Sequence, residues 1–320
     1  MLNKLDLKDK KILYELDLNS RQSASQISKK IGLSKEVTNY RINNLIKRGF
    51  IKYFYTVLNT LALGYYHYKI YLKLQNITPE IEEEIIDYFL KNKNCIWLGS
   101  CSGNWDLAVS LLAKNTTEFI ELYQKTLMSH GDYILEKNIL VIDKAPTFNR
   151  AYLSDKINTV ELEYKSMEDI VGTDEVDRKI LSSIAINGRI NIIELMDKLN
   201  LSREIVSYRI NKMRKFGIIQ GFRTAFNLDK LGYKYYKVLF VFKNINSKKE
   251  DNFIKFCKQN KNIVQYIKLI GNWDAEIEFE VKDDLQMREL LLNIRSEFSD
   301  IIRNNEQLLV YEKKLNYYPF

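Results

Sequence analysis

The chain has 320 residues, with 49 Lys+Arg against 41 Asp+Glu (net +8), 46% hydrophobic and 12% aromatic residues, three Cys and two His. That length predicts two domains or more, and the apolar content suffices for packed cores, which excludes wholesale disorder. No run approaches the roughly 18 apolar residues of a membrane span, the first ten residues carry no apolar signal segment, and Cys95, Cys101 and Cys257 form no C-x-x-C pair; the expectation is a protein of the reducing cytoplasm with no built metal site and no cofactor.

In chain order, Leu5, Ile12, Leu13 and Leu16 fit one helical face. A short second helix starts at Ser23 with Gln26 three residues on, a capping-box spacing, and ends at Gly32. Ser34 caps a third helix, so helix, tight turn and capped helix form a helix-turn-helix. From residue 50 the period changes: 51–57 and 66–74 alternate as strands, a helix follows from Pro79, strands are expected at 95–100 and 105–112, a helix at 117–128 and a strand at 133–142. That order is βαββαβ, an α+β ferredoxin-like domain.

The whole unit is written twice. Leu33-Ser-Lys-Glu-Val-Thr-Asn-Tyr-Arg-Ile-Asn43 aligns with Leu201-Ser-Arg-Glu-Ile-Val-Ser-Tyr-Arg-Ile-Asn211 at an offset of 168, and the same offset carries Gly103-Asn-Trp-Asp106 onto Gly271-Asn-Trp-Asp274 without a gap. From 33 to 64 against 201 to 232, 15 of 32 positions are identical, so the repeat is a duplication. The expected domains are 1–60 and 173–228 (winged helix-turn-helix), 61–148 and 229–320 (βαββαβ), with 149–172 as a linker of which Ile170-Val-Gly172 packs in part. Charge follows the same division: 12 basic against 5 acidic residues in 1–60 and 10 against 6 in 173–228 leave a net −3 for the rest of the chain. The positive excess therefore sits in the two helix-turn-helix segments, as expected of a double-stranded DNA partner.

Asp-x-x-Ile-Leu near the start, Leu-Ser-x-x-x-x-x-x-Arg-Ile in the third helix, Gly-x-Ile after it, Leu-Gly at 63–64 and Gly-x-x-Asp at 103–106 resemble the Lrp/AsnC (feast/famine) transcription regulators. The resemblance implies a winged helix-turn-helix followed by a ligand-sensing, dimerising βαββαβ domain. It covers about 280 of the 320 residues across both copies. Because typical members carry one unit and dimerise, this chain resembles a covalent pseudo-dimer, with further homo-oligomerisation open.

On a helical wheel of the third helix, Thr38, Ile42 and Leu45 (Val206, Ile210 and Met213 in the second copy) face inward. The opposite side holds Glu36, Tyr40, Asn43 and Lys47, matched by Glu204, Tyr208, Asn211 and Lys215. Lys35 and Arg203 project from the first turn, where helix-turn-helix proteins reach base edges. Asn suits adenine, Arg or Lys guanine, and Glu cytosine N4. Arg41, Arg209, Lys47 and Lys215 are assigned to phosphates, and Asn39 and Ser207 differ between the two readers.

Gly103-Asn104 and Gly271-Asn272 read either as plain hairpin turns or, as the resemblance implies, as part of an effector site. In that site the turn N–H groups would hold an amino-acid or related metabolite carboxylate, and Asp106 or Asp274 its ammonium. Trp105 and Trp273 read as core strand residues, Cys95 and Cys101 as small buried hydrophobes, and His67 and His130 as structural. Two alternatives stand beside a DNA-binding, non-enzymatic regulator: a tetrapyrrole-acting enzyme of sirohaem-decarboxylase type, and a sensor module that no longer binds DNA.

Overall fold

Short polar side chains set the ends of the first helices in the computed structural model, which describes residues 5–154, 162–164 and 170–315. Helices α1 (Leu7–Leu18), α2 (Ala24–Ile31) and α3 (Lys35–Lys47) form the first helix-turn-helix. Ser23 and Gln26 close a reciprocal capping box on α2, Gly32 ends it at φ 68°, and Ser34 accepts from the Val37 N–H to start α3. The second unit repeats this in α6 (Glu175–Ala185), α7 (Ile192–Leu199) and α8 (Arg203–Lys215), with Asn200 at φ 52° in the place of Gly32. Thr38, Ile42 and Leu45, and Val206, Ile210 and Met213, are buried as the wheel requires.

The strand after each helix-turn-helix does not fold back as a private wing. Strand β1 (Ile51–Leu58) pairs antiparallel with β7 (Ile219–Phe226), Tyr55 opposite Arg223, so the two copies share one ribbon. Each core borrows from the other: Phe226 packs with Ile12, Leu13 and Leu45, while Leu58 packs with Ile180, Leu181 and Met213. The reading units are thereby one body.

In the first unit β2 (Tyr66–Leu74), α4 (Pro79–Lys91), β3 (Cys95–Ser102), β4 (Leu107–Ala113), α5 (Thr116–His130) and β5 (Ile134–Thr147) follow the expected βαββαβ order. A short strand β6 (Leu162–Tyr164) adds to β5, and a one-turn helix, α9 (Leu228–Leu231), precedes the second sheet. That sheet comprises β8 (Lys234–Phe242), β9 (Ile263–Ile270), β10 (Ala275–Val281) and β11 (Ile302–Leu315), with α10 (Ser247–Gln259) and α11 (Asp284–Glu297) covering it. Strands β5 and β11 run longer than their sequence pattern suggested, because each serves two sheets. The first half of β5 pairs with β2 and the second with β9; β11 likewise pairs with β8 and then β3. The order β2-β4-β3-β11-β8-β10-β9-β5 closes through β2–β5 into an eight-stranded barrel, which leaves no free edge along either sheet.

Helices cover the outside, and Tyr71, Trp97, Trp105, Leu239, Trp273 and Leu308 pack inside between the two sheets. Because both faces are covered, β4 and β10 are buried at every residue and lose the alternation of a one-sided strand.

The segment 149–172 is less of a linker than its composition suggested. The Val171 N–H donates to the Ala62 carbonyl at 2.8 Å, Ala151 and Leu153 are buried, and Arg150 enters an ion network. Its remaining parts, 155–161 and 165–169, lie outside the described residues.

Candidate nucleic-acid interface

Burial of one face of α3 and α8 leaves the other in solvent. Lys35, Glu36, Asn39, Tyr40, Asn43 and Lys47 are all exposed, as are Arg203, Glu204, Tyr208, Asn211 and Lys215; Ser207 is half-buried. Tyr40 at 71% and Tyr208 at 64% exposure are large rings left in water at the same place in both copies. Among the described aromatics these two are the most exposed, and neither packs into the core of its unit.

The two arginines given to phosphates have carboxylate partners within the chain. Arg41 Nη1 donates to Asp6 Oδ2 and Asp9 Oδ1, both at 2.8 Å, and Arg209 Nη1 to Asp174 at 2.5 Å and Asp177 at 3.2 Å. Each guanidinium thus ties the recognition helix to the first helix of its own unit and sits among carboxylates that repel a phosphate. The sequence held the signal in the 168-residue offset, which relates Asp9 to Asp177 as well as Arg41 to Arg209.

At the hairpin turns, Gly103 and Gly271 both adopt φ 146°, a region that favours glycine. A Cβ at Gly103 would meet Leu308 Cδ2 at 2.8 Å, and one at Gly271 would meet Leu140 Cδ2 at 2.5 Å, so each turn presses on the other copy's long strand. Asp106 and Asp274, given to a ligand ammonium, have partners within the chain. Asp106 accepts from the Leu74 N–H at 2.7 Å and Lys73 Nζ at 3.0 Å, and Asp274 from the Phe242 N–H at 2.6 Å. Both carboxylates latch the turn to the neighbouring strand, while Asn104 and Asn272 remain exposed. Trp105, Trp273, Cys95 and His130 are buried, and Cys101 is half-buried.

Beneath the ribbon lie two buried ion clusters that sequence patterns did not reveal. In the first, Asp17 at the end of α1 receives the Arg150 Nη1 at 2.9 Å and the Arg223 Nη1 at 3.0 Å; Arg150 Nε also reaches Glu280 Oε2 at 2.9 Å. It joins the first reading unit, the second copy's ribbon strand and the second sheet in one set of charge-assisted bonds. The repeat conceals it, because Asp17 maps onto Ala185, Arg223 onto Tyr55 and Glu280 onto Leu112.

In the second cluster, Lys69 Nζ donates to Glu276 at 2.6–2.7 Å, Lys237 Nζ to Glu276 at 2.6 Å and also to Glu278, and the Tyr71 hydroxyl to Glu276 at 2.6 Å. The two lysines shift oppositely for a geometric reason. Burial pushes Lys69, which shares a single carboxylate, down to about 8, while Lys237 outweighs the same burial with two carboxylates and is raised. Burial alone would raise Glu276, but Lys237 and Lys69 hold it at about 2. Nearby, burial and then the Lys69 charge push His67 down to about 3, so its ring is neutral.

A pH dependence follows. Glu276 is depressed in the folded chain relative to its ordinary 4.5, so its stabilisation is complete above about pH 4.5 and is lost as pH falls toward about 2. Denaturation midpoints of wild type and Glu276→Gln across this range should therefore converge at the acid end. A constant gap would remove the ion cluster as the cause. Lys69 acts with the same sign in a separate window: the unfolded chain binds its proton up to about 10.5 and the folded chain only to about 8, so stability from this group also rises between those values.

Among the described residues no helix is long and apolar enough to cross a membrane, and no group of three or more His, Cys, Asp or Glu could hold a metal ion.

The helix-turn-helix segments match the family model described as winged helix-turn-helix DNA-binding, at residues 5–52 and again at 173–220. A curated relative, an uncharacterised HTH-type transcriptional regulator of Pyrococcus horikoshii, is 32% identical over 141 residues, which are 43% of this chain and 89% of the relative. The chain belongs to the Lrp/AsnC family of helix-turn-helix transcription regulators, and carries two of the family's units in one polypeptide. Among solved structures, the sirohaem decarboxylase NirDL superposes over 98% of this chain and 94% of its own with a TM-score of 0.66 at 12% identity, a likeness of fold alone. AsnC of E. coli is similar to 45% of this chain at 22% identity and a TM-score of 0.39.

Proposed function

We propose that the chain regulates transcription by laying α3 and α8 in the major groove of one DNA duplex, each helix reading its own half-site. The observation that carries this is the shared exposed face: Glu, Tyr, Asn and Lys stand in solvent at Glu36, Tyr40, Asn43 and Lys47 and again at Glu204, Tyr208, Asn211 and Lys215. Lys35 and Arg203 flank that face at the first turn, the position from which such helices reach base edges. The shared β1–β7 ribbon supports the reading by fixing the two helices relative to each other, so little orientation entropy remains to be lost on binding. Modulation by an amino acid or related small metabolite, near the exposed Asn104 and Asn272, belongs to the same proposal.

The phosphate contacts are tested by salt titration of DNA affinity. Lys47→Ala and Lys215→Ala should each flatten the log–log salt slope by about 0.9. Arg41→Ala and Arg209→Ala should leave that slope unchanged and cost at most about 1 kcal/mol of stability, as expected of partly exposed ion pairs. The reverse pattern would restore the arginines to the phosphate backbone.

A further inference from the structure

Between the β1–β7 ribbon and the mouth of the barrel lies a cavity of about 380 Å³, within the size range of small-molecule sites. Its wall is charged unevenly. Five cationic side chains face it, Lys52, Lys69, Arg150, Arg223 and Lys237, against three carboxylates, Asp229, Glu278 and Glu280. The carboxylates that complete the ion clusters, Asp17 and Glu276, are fully buried and are not part of the lining. A molecule inside therefore meets an excess of two positive charges, with the compensating negative charge one layer back.

Arg223 supplies an independent observation. It is 1% exposed; Nη1 is taken by Asp17 and Nη2 by the Phe148 carbonyl at 2.9 Å, while Nε has no hydrogen-bond partner among the described residues. A buried donor left without an acceptor is destabilising, and a ligand oxygen would satisfy it. The rest of the wall is largely apolar, with Trp97, Phe148, Tyr233 and Ile267 among it.

We infer that this cavity binds an organic molecule combining one carboxylate with an aromatic ring, the carboxylate accepting from Arg223 and the ring lying on the apolar wall. An α-ammonium group on the ligand would meet like charge, so the site prefers a simple aromatic acid to the matching amino acid. This distinguishes it from the hairpin turns, and nothing in the inference requires DNA.

The test uses the full chain without DNA, titrated with 3-phenylpropanoate, its uncharged amide and L-phenylalanine. Of the three tryptophans, Trp97 lines the cavity while Trp105 and Trp273 pack elsewhere in the barrel. Trp emission should change saturably with the acid, at an affinity about tenfold above the amide, the difference expected between a charge-assisted and a neutral hydrogen bond. L-phenylalanine should bind more weakly than the acid. Trp97→Phe should lose the emission change yet keep the ligand-induced rise in unfolding temperature, and Ser110→Leu, which enlarges a lining side chain, should lose both. No saturable change in the wild type, equal or tighter binding of the amide or of L-phenylalanine, an emission change that survives Trp97→Phe, or full binding by a folded Ser110→Leu would each overturn the assignment.

Discussion

Asp17→Ala should lower the stability of the chain by about 3–5 kcal/mol, the loss expected when one partner of a buried ion cluster is removed and the others remain. Asp17 is fully buried and answers two guanidiniums, and Arg223 is itself 1% exposed. Without the carboxylate, Arg150 keeps Glu280, but Arg223 keeps only two backbone carbonyls, those of residue 17 and Phe148. The control is Glu175→Ala, which breaks a fully solvated pair with Lys179 and should leave the midpoint close to that of wild type. Chemical denaturation followed by circular dichroism measures both. An Asp17→Ala midpoint indistinguishable from wild type would mean that the cluster contributes no net stability.

Asn43→Ala and Asn211→Ala should each cost about 1–3 kcal/mol of discrimination at one base position, because a side chain able to pair bidentately with adenine is replaced by a methyl group. The two effects should be additive within error, since the helices contact separate half-sites. Competition between specific and scrambled duplexes reads the discrimination directly. If Asn43→Ala weakened specific binding and Asn211→Ala did not, α8 would lie off the operator and two chains would each contribute α3.

Much of this architecture could be read from local chemistry. Ser23, Gln26, Gly32 and Ser34 announce helix ends by hydrogen bonding and left-handed backbone, which depend only on near neighbours. The outward face of α3 was legible because helical period sorts Thr38, Ile42 and Leu45 from Tyr40 and Asn43. What sequence could not supply was long-range pairing. Nothing local distinguishes β5 as a strand that leaves one sheet for another, since Ile134–Thr147 needs only to remain extended. The Asp17–Arg150–Arg223 cluster was hidden for a related reason: its members are far apart in the chain and absent from the matching positions of the other copy. Arg41 shows the limit of the wheel, which gave the guanidinium a direction and not the two carboxylates waiting there.

The two readers are similar and unequal. Glu, Tyr and Asn coincide, while Lys35 stands where the second copy has Arg203, and Asn39 where it has Ser207. Arg binds guanine bidentately where Lys offers a compact charge, so the second half-site should be the more stringent. Selection of bound duplexes from a random library, with sequencing of the recovered pool, tests this account most directly. The result predicted is an imperfect inverted repeat, one arm more degenerate than the other, with half-site centres about 34–36 Å apart or a multiple of that, and exchange of residues 34–48 with 202–216 should reverse which arm is degenerate. A pool with no enriched motif would contradict sequence-specific recognition, and a perfect palindrome would contradict the claim that both helices of one chain read one operator.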